Sequence, residues 1–240
     1  MTKCKRGKLR FKIPFFLRGN QMKPKYQRVL LKLSGEYLGG EEGRGFDFAT
    51  IKGLTQQLCK IHDLGVQVAI VLGGGNFFRG ASSVPIQMDR VSGDQIGMLA
   101  TVMNSVCLSE ALQDQGKDVK LMMGLSVPQV GENFNKKKAV AALEDRQILI
   151  CAGGTGNPYF STDTAAVLRA LEIDANAVIK GTKVDGVYDK DPVKFEDAKK
   201  YDELSYTAVL EQDLKVMDAP AIAMCRDNQL PLAVLSISNP

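Results

Sequence analysis

Apolar residues along the chain fall either into short unbroken runs or into stretches where they recur every three to four positions. Runs at 28–33, 66–72, 119–123, 148–151, 175–179 and 232–237 are bounded by glycine or polar residues, which predicts buried strands of a parallel sheet. Between 47 and 64, Phe48, Ile51, Leu54, Leu58 and Ile61 share one helical face, and Gly65 supplies a stop. The spacing predicts further helices over 95–115, closed by Gly116, and over 136–144, 163–171, 206–211 and 220–228. From 182 to 206 the chain turns polar, with Asp185-Gly186 and Asp191-Pro192 as turn signals. Strands separated by single helices predict an α/β protein, an αβα sandwich whose mostly parallel sheet is covered on both faces. No repeat or linker divides 26–240, so one domain is expected there.

At 240 residues and 45% apolar content the chain is long enough for an ordinary globular core. Its net charge of +4 is unevenly spread. Residues 1–25 hold nine Lys or Arg and no acid, leaving 22 bases against 27 acids in the remainder. The body is mildly acidic and the basic balance comes from the N-terminal extension, read as disordered or non-native. Such a segment can be a nucleic-acid or membrane-surface arm, an organellar targeting peptide, or sequence upstream of a start at Met22. Its apolar run, Phe15-Phe16-Leu17, is too short for a signal-peptide core or a membrane span.

Cys4, Cys59, Cys107, Cys151 and Cys225 make no C-x-x-C pair, and most sit in apolar periodic segments, as buried thiols of a reducing compartment do. The one histidine, His62, is placed on the polar side of a helix as a surface residue. Histidine acid–base chemistry, catalytic triads and His-based zinc sites are therefore not expected, and no protein-held metal site is evident.

In open parallel sheets ligands bind beyond the C-terminal strand ends. Four such ends carry chemistry-bearing residues: Lys32-Leu33-Ser34-Gly35, Gly73 to Gly80 with Arg79, the loop from Gly153 to Asp163, and Lys180 to Tyr188 followed by Asp191. Glycines let backbone N–H groups approach phosphate oxygens, helix starts favour anions, and Lys or Arg neutralises them. The loop before the helix at 163 adds Thr and Ser donors and one carboxylate, which points to a phosphorylated small molecule. Lys32 and Lys180 both end apolar strands, costly positions for a cation unless it is used, and can straddle a phosphoryl group in transfer. Asp163 reads either as a first-turn helix acid or as a catalytic group. Asp218 reads as an N-cap or as the residue that orients a catalytic lysine. The P-loop, the dinucleotide G-x-G-x-x-G and the protein-kinase motifs are absent.

Taken in order, Lys32–Gly35, Gly73–Gly80, Gly93–Asn104, Gly153–Ala166 and Thr182–Pro192 resemble the bacterial uridylate kinases, a branch of the amino acid kinase family, over about 26–238. That resemblance implies the amino acid kinase fold and transfer of the ATP γ-phosphoryl to UMP, giving UDP, with Mg²⁺ held largely by substrate oxygens and water. It implies that Lys32, Leu33, Ser34, Gly35, Gly75 and Arg79 meet ATP phosphates, with Thr182, Tyr188 and Asp191 lining the adenosine pocket. Gly74, Asp94 and the loop Thr155, Gly156, Asn157, Pro158, Tyr159, Phe160, Ser161 and Thr162 would hold UMP. Gly40, Glu41, Glu42, Gly43, Arg44 and Gly45 correspond to an effector-nucleotide segment. A cytoplasmic homohexamer, activated by GTP and inhibited by UTP, in pyrimidine nucleotide synthesis, is implied too. Membrane and nucleic-acid partners are not expected. The family continues past the final strand through a helix and an edge strand, where this sequence stops at Asn239-Pro240, and Gly124 to Gln129 replaces a more usual Ser-Ala loop start. Two other readings remain: another amino acid kinase family enzyme acting on a carboxylate, and a nucleotide-sensing or nucleic-acid-binding protein.

Overall fold

A computed structural model describes residues 8–10, 15–18, 21–80, 86–190 and 192–237. In chain order the sheet strands and long helices are β1 (Arg28–Leu33), α1 (Phe48–Asp63), β2 (Gln67–Leu72), α2 (Arg90–Gln113), β3 (Val119–Met123), β4 (Glu132–Asn133), α3 (Lys136–Glu144), β5 (Ile148–Ala152), α4 (Thr162–Glu172), β6 (Ala177–Thr182), α5 (Tyr206–Glu211), α6 (Ala219–Asp227) and β7 (Leu232–Ser236). Seven strands make one sheet in the order β7-β6-β1-β2-β5-β3-β4, every neighbouring pair parallel.

Side chains alternate between the two faces of the sheet, and each face builds its own core. Val29, Leu31 and Leu33 of β1 join Val68, Ile70 and Leu72 of β2 under Leu54 and Leu58 of α1 and Leu108 and Leu112 of α2. Leu30 of β1 and Val178 of β6 point the other way, into a core with Ala166, Val167 and Ala170 of α4 and Ile222 and Cys225 of α6. Lys32 follows Leu30 by two residues and Lys180 follows Val178 by two. Both lysines therefore rise on the α4 face, where their partner strands end.

Several boundaries differ from the periodicity. Helix α2 starts five residues before its predicted start at 95, because the Asp89 side chain caps it by accepting from Ser92 N–H at 3.1 Å. Strand β6 runs to Thr182 rather than stopping at 179, so the polar Lys180-Gly181-Thr182 belongs to the sheet. The polar stretch after it forms a small antiparallel ladder, Val187–Tyr188 with Lys200–Tyr201. Lys8–Arg10 of the basic extension pairs antiparallel with Glu203–Ser205, and Phe15–Arg18 with Gln21–Pro24.

His62 is not a surface residue but is buried. Its Nε2 donates to the Arg146 carbonyl at 2.9 Å, and Arg146 returns a bond to the His62 carbonyl at 2.5 Å, so a loop distant in sequence closes over it. Burial, followed by the Arg146 charge, holds the imidazole below its ordinary pKa. Cys59, Cys151 and Cys225 are buried free thiols and Cys107 is partly buried; burial pushes Cys151 and Cys225 up to about 12. Cys4 lies outside the described residues. Among those residues no helix is long and apolar enough to cross a membrane.

Candidate active site

Successive strands leave β1 toward β2 on one side, whereas β6 and β7 lie on the other. The junction between β1 and β6 is thus a point where strand order reverses, the usual crevice for a ligand in an open parallel sheet. Lys32 and Lys180 are register partners across this junction. Asp163, in the first turn of α4, reaches both: one carboxylate oxygen lies 2.8 Å from Lys32 Nζ, and the other accepts from Lys180 Nζ at 2.8 Å. Lys180 also donates to the Val216 carbonyl at 2.5 Å.

Burial alone would push the Asp163 carboxyl up, but the Lys32 and Lys180 ammonium groups hold it below the ordinary aspartate value. Burial holds the Lys180 ammonium below the ordinary lysine value, against the attraction of Asp163 and with a further push from Lys32. Asp218 occupies the N-cap position of α6 yet makes no capping side-chain bond. Its Oδ2 accepts instead from Thr164 Oγ1 at 2.7 Å, its Oδ1 is buried with no hydrogen-bond partner among the described residues, and its charge acts on Lys180. All four residues read as catalytic converge here.

Backbone supplies the rest of the junction. Gly73 N–H donates to the Leu33 carbonyl at 2.9 Å, joining the loops that follow β1 and β2. The Leu33 side chain itself is in the core, so only its backbone is available to a ligand. A Cβ on Gly73 would lie 3.7 Å from Thr162 Oγ1, so the loop after β5 ends beside the loop after β2. A Cβ on Gly74 would come within 2.8 Å of both Ala100 Cβ and the Gly97 carbonyl; only glycine permits α2 to press against this loop.

One face of α2 organises these loops. Asp94, Gly97, Thr101 and Asn104 recur at helical spacing. Asp94 Oδ2 accepts from Tyr159 N–H at 2.7 Å, Thr101 Oγ1 accepts from Gly153 N–H at 2.9 Å, and Asn104 Nδ2 donates to the Gly73 carbonyl at 2.7 Å. Arg90 braces Asp94 at 3.0 and 2.8 Å and lies 5.3 Å from the centre of the Tyr159 ring. Burial would raise the Asp94 carboxyl, but the Tyr159 amide and Arg90 hold it low. Within the loop, Thr155 Oγ1 accepts from Asn157 N–H at 3.1 Å, and Gly156 turns at φ +81° against the Gly124 carbonyl. Tyr159 and Phe160 are exposed beside Asn157 and Pro158.

The start of α4 differs from the anion seat expected of it. Ser161 Oγ accepts from the N–H groups of Asp163 and Thr164, at 3.0 and 3.2 Å, so those two donors are already used. Polar side chains, more than free helix amides, line this end. Ser34 caps the single turn Gly35–Leu38 by position, without a side-chain bond. Arg79 is exposed and pairs with Glu36 at 3.2 Å. Gly75 lies against the same Glu36. The turn Gly40–Glu42 and residues Gly43, Arg44 and Gly45 follow directly, with Gly43 near Glu36 and Arg79. At the far side Thr182 donates to the Val184 carbonyl at 2.5 Å, and the Tyr188 hydroxyl donates to Asp185 at 2.6 Å. Asp191 lies outside the described residues. Thr101, Asn104, Asn76, Thr164 and Asp185 were not singled out as site residues in sequence. The recurrence of Asp94, Thr101 and Asn104 on one face of α2 was the available signal for the first two.

Residues 27–236 match the sequence family described as the amino acid kinase family. The chain belongs to the amino acid kinase family. Among similar proteins, a relative named uridylate kinase from Dichelobacter nodosus (strain VCS1703A) is 47% identical over 216 residues, 90% of each chain. A solved UMP kinase from Bacillus anthracis superposes with TM-score 0.85 at 37% identity, covering 90% of this chain and 89% of that one. Another, from Ureaplasma parvum, gives 0.84 at 36% identity, covering 89% and 91%. An aspartate kinase from Synechocystis, at 18% identity and TM-score 0.67 over 87% of this chain and 37% of its own, shares the fold. The parallel αβα sandwich is thus the amino acid kinase fold.

Proposed function

We propose that the chain catalyses ATP-dependent phosphorylation of UMP to UDP by direct in-line transfer. The observation that carries the reading is the pair Lys32 and Lys180, held side by side by Asp163 where the glycine loops converge. The names of its similar relatives, uridylate kinase and UMP kinase, supply the acceptor. An α-phosphate oxygen of UMP bonds to the γ-phosphorus as the bond to the β,γ-bridging oxygen breaks, and ADP departs with that electron pair. The two ammonium groups neutralise charge on the group in flight, and the loops set the in-line geometry. The acceptor oxygen is already anionic, so Asp163 serves to position the lysines and need not take a proton; Asp218 steadies Lys180 electrostatically.

In this assignment Lys32, Leu33 backbone, Ser34, Gly35, Gly75 and Arg79 meet ATP phosphates, while Thr182, Tyr188 and Asp191 border the adenosine. Gly74, Asp94 and 155–162 hold UMP. Magnesium supplies charge neutralisation on the phosphates. The ion would arrive with ATP, held largely by phosphate oxygens and water.

The finer assignments belong to the same proposal. Exposed Ile96, Leu99 and Met103 form an apolar stripe on α2 opposite its loop-holding face, which supports assembly of copies into a hexamer. The Gly40–Gly45 segment, beside Glu36 and Arg79, is assigned to effector nucleotides, GTP activating and UTP inhibiting. Residues 26–240 act as the kinase domain, with 1–25 outside it, and the reaction is placed in cytoplasmic pyrimidine nucleotide synthesis.

A coupled ADP-release assay with ATP–Mg²⁺ on UMP, CMP, AMP and N-acetylglutamate, beside Lys32→Ala, tests the reading. Turnover on UMP alone, lost in the variant, is expected. Turnover on N-acetylglutamate, or none on any acceptor from folded protein, overturns it.

A further inference from the structure

Two buried asparagines lie beneath the phosphate-facing backbone. Asn76 is 4% exposed and Asn104 is 0% exposed. Their amides face one another: Asn76 Nδ2 donates to Asn104 Oδ1 at 2.9 Å, and Asn104 Nδ2 donates to Asn76 Oδ1 at 2.7 Å. The second proton of each amide goes to a backbone carbonyl, Gly45 at 2.8 Å for Asn76 and Gly73 at 2.7 Å for Asn104. A carbonyl can only accept, so these contacts decide which atom of each amide is nitrogen. Gly45 N–H returns a bond to the Asn76 carbonyl at 3.1 Å. Every amide proton of the pair is used, as a polar pair this deeply buried requires.

The pair touches the site directly. A Cβ on Gly35 would come within 2.3 Å of the Gly73 carbonyl, 2.7 Å of Asn76 Oδ1 and 2.8 Å of Asn104 Nδ2. The peptide group between Gly73 and Gly74 is planar and trans, so a carbonyl held toward Asn104 turns the Gly74 N–H to the opposite side. Neither Gly74 N–H nor Gly75 N–H has an acceptor among the described residues. These are free donors of the kind that bind phosphate oxygens.

We propose that Asn76 and Asn104 are positioning residues of the phosphoryl-transfer site, pinning the Gly73 carbonyl so that the next glycine amides face the nucleotide phosphates. The inference rests on the kinase reading above. It accounts for two buried amides where an apolar pair would fill the space without a desolvation cost. Their action is through backbone and reaches both nucleotides, since the Gly74 amide is assigned to UMP and the Gly75 amide to ATP.

The test compares Asn104→Asp, which puts a carboxylate against the Gly73 carbonyl, with Tyr206→Phe, which loses a buried hydroxyl bond to the Leu230 carbonyl away from the site. Thermal midpoint, KM for ATP, KM for UMP and ADP affinity by calorimetry are measured for each. Asn104→Asp should raise KM for ATP and KM for UMP and weaken ADP binding, each about tenfold or more. Asn104→Ser, with a shorter hydroxyl donor, should recover part of the loss. Tyr206→Phe should lower the midpoint and leave both KM values and ADP affinity alone. Unchanged ADP affinity in Asn104→Asp, or equal losses of ADP affinity in Tyr206→Phe, overturns the proposal. If Asn104→Asp does not fold, Asn76→Ser, Asn104→Ser and their double variant give a cycle on ADP affinity; coupled losses are expected, and additive losses overturn it. A wild-type chain that binds ADP but turns over no UMP would sink the kinase reading alone, because ADP affinity still reports on the asparagines.

Discussion

Lys32 and Lys180 stand side by side in register on adjacent parallel strands, with one carboxylate, Asp163, bridging them at 2.8 Å to each. Like charges directly opposite in a sheet repel, and the repulsion is stronger in a half-buried crevice than in water. Asp163 divides its charge between the two ammonium groups and Asp218 adds its own at Lys180, so the carboxylates offset the repulsion between the lysines. A phosphoryl group entering between the loops meets two cations already held in place.

Removing either lysine should therefore cost rate far more than structure. Lys32→Ala and Lys180→Ala are each expected to lower kcat about 10²–10³-fold, the usual effect of losing one preorganised charge on a transition state. Far-UV circular dichroism should stay unchanged, because in either variant Asp163 keeps the remaining lysine. A kcat within about threefold of wild type in both variants would move the chemistry elsewhere.

Asp163 ties this site to acid stability. Its folded pKa lies below the unfolded value, so the folded state binds the proton less readily. Its contribution is complete above the unfolded aspartate value, about 3.9, and is lost as pH falls from there through the lower folded value. Urea midpoints from pH 7 to pH 3 should fall in wild type below about pH 4, and the fall should be shallower in Asp163→Asn. At neutral pH the variant should be less stable by about 3 kcal/mol, since it leaves two buried cations without their partner. Equal midpoints at pH 7 would show that the bridge does not hold the fold.

His62 gives a second acid-sensitive element in a different pH window. Its folded pKa is depressed below the unfolded 6.5, chiefly by burial and then by Arg146. Below 6.5 the unfolded chain takes up a proton that the folded chain resists, so stability is present above 6.5 and declines as pH falls through that value. His62→Gln keeps an amide donor for the Arg146 carbonyl and removes the titration. Its urea midpoint should vary less than that of wild type between about pH 7 and pH 5. Parallel curves for the two proteins would remove His62 as the source.

Much of this was legible in the chain, and the exceptions share a cause. Residues 28–33 and 148–151 read as strands because every apolar side chain there is buried on one face or the other. The end of β6 was read short because Lys180, Gly181 and Thr182 break the apolar run, and Lys180 is there to meet Asp163. Asp163 and Asp218 were legible as charged residues beside helix starts, but not as partners of Lys180 and Thr164, which lie 17 and 54 residues away. His62 looked solvated because the charged Lys60 and Asp63 stand beside it in sequence; Arg146, 84 residues on, covers it. Local pattern reports which face a residue occupies. Pairings made by the returning chain leave no local trace.

The loop after β5 supplies the last test, because Asp94 holds it by a single backbone bond. Tyr159 has a left-handed φ of 70°, a conformation disfavoured for a bulky side chain, and its N–H is fixed by Asp94 Oδ2 at 2.7 Å. Arg90 orients that carboxylate from one turn away, so Asp94 is braced before a ligand arrives. Asp94→Ala removes the anchor and frees Tyr159 to relax, which should spread the conformations of 155–162. The expected result is a KM for UMP raised about tenfold or more, a KM for ATP within about twofold, and little change in thermal midpoint, since the loop is exposed. Arg90→Ala should produce the same change in smaller measure, because the carboxylate stays but loses its brace. If Asp94→Ala instead shifts the two KM values equally, the loop is not the acceptor's alone, and the division between the nucleotide sites proposed for this fold fails with it.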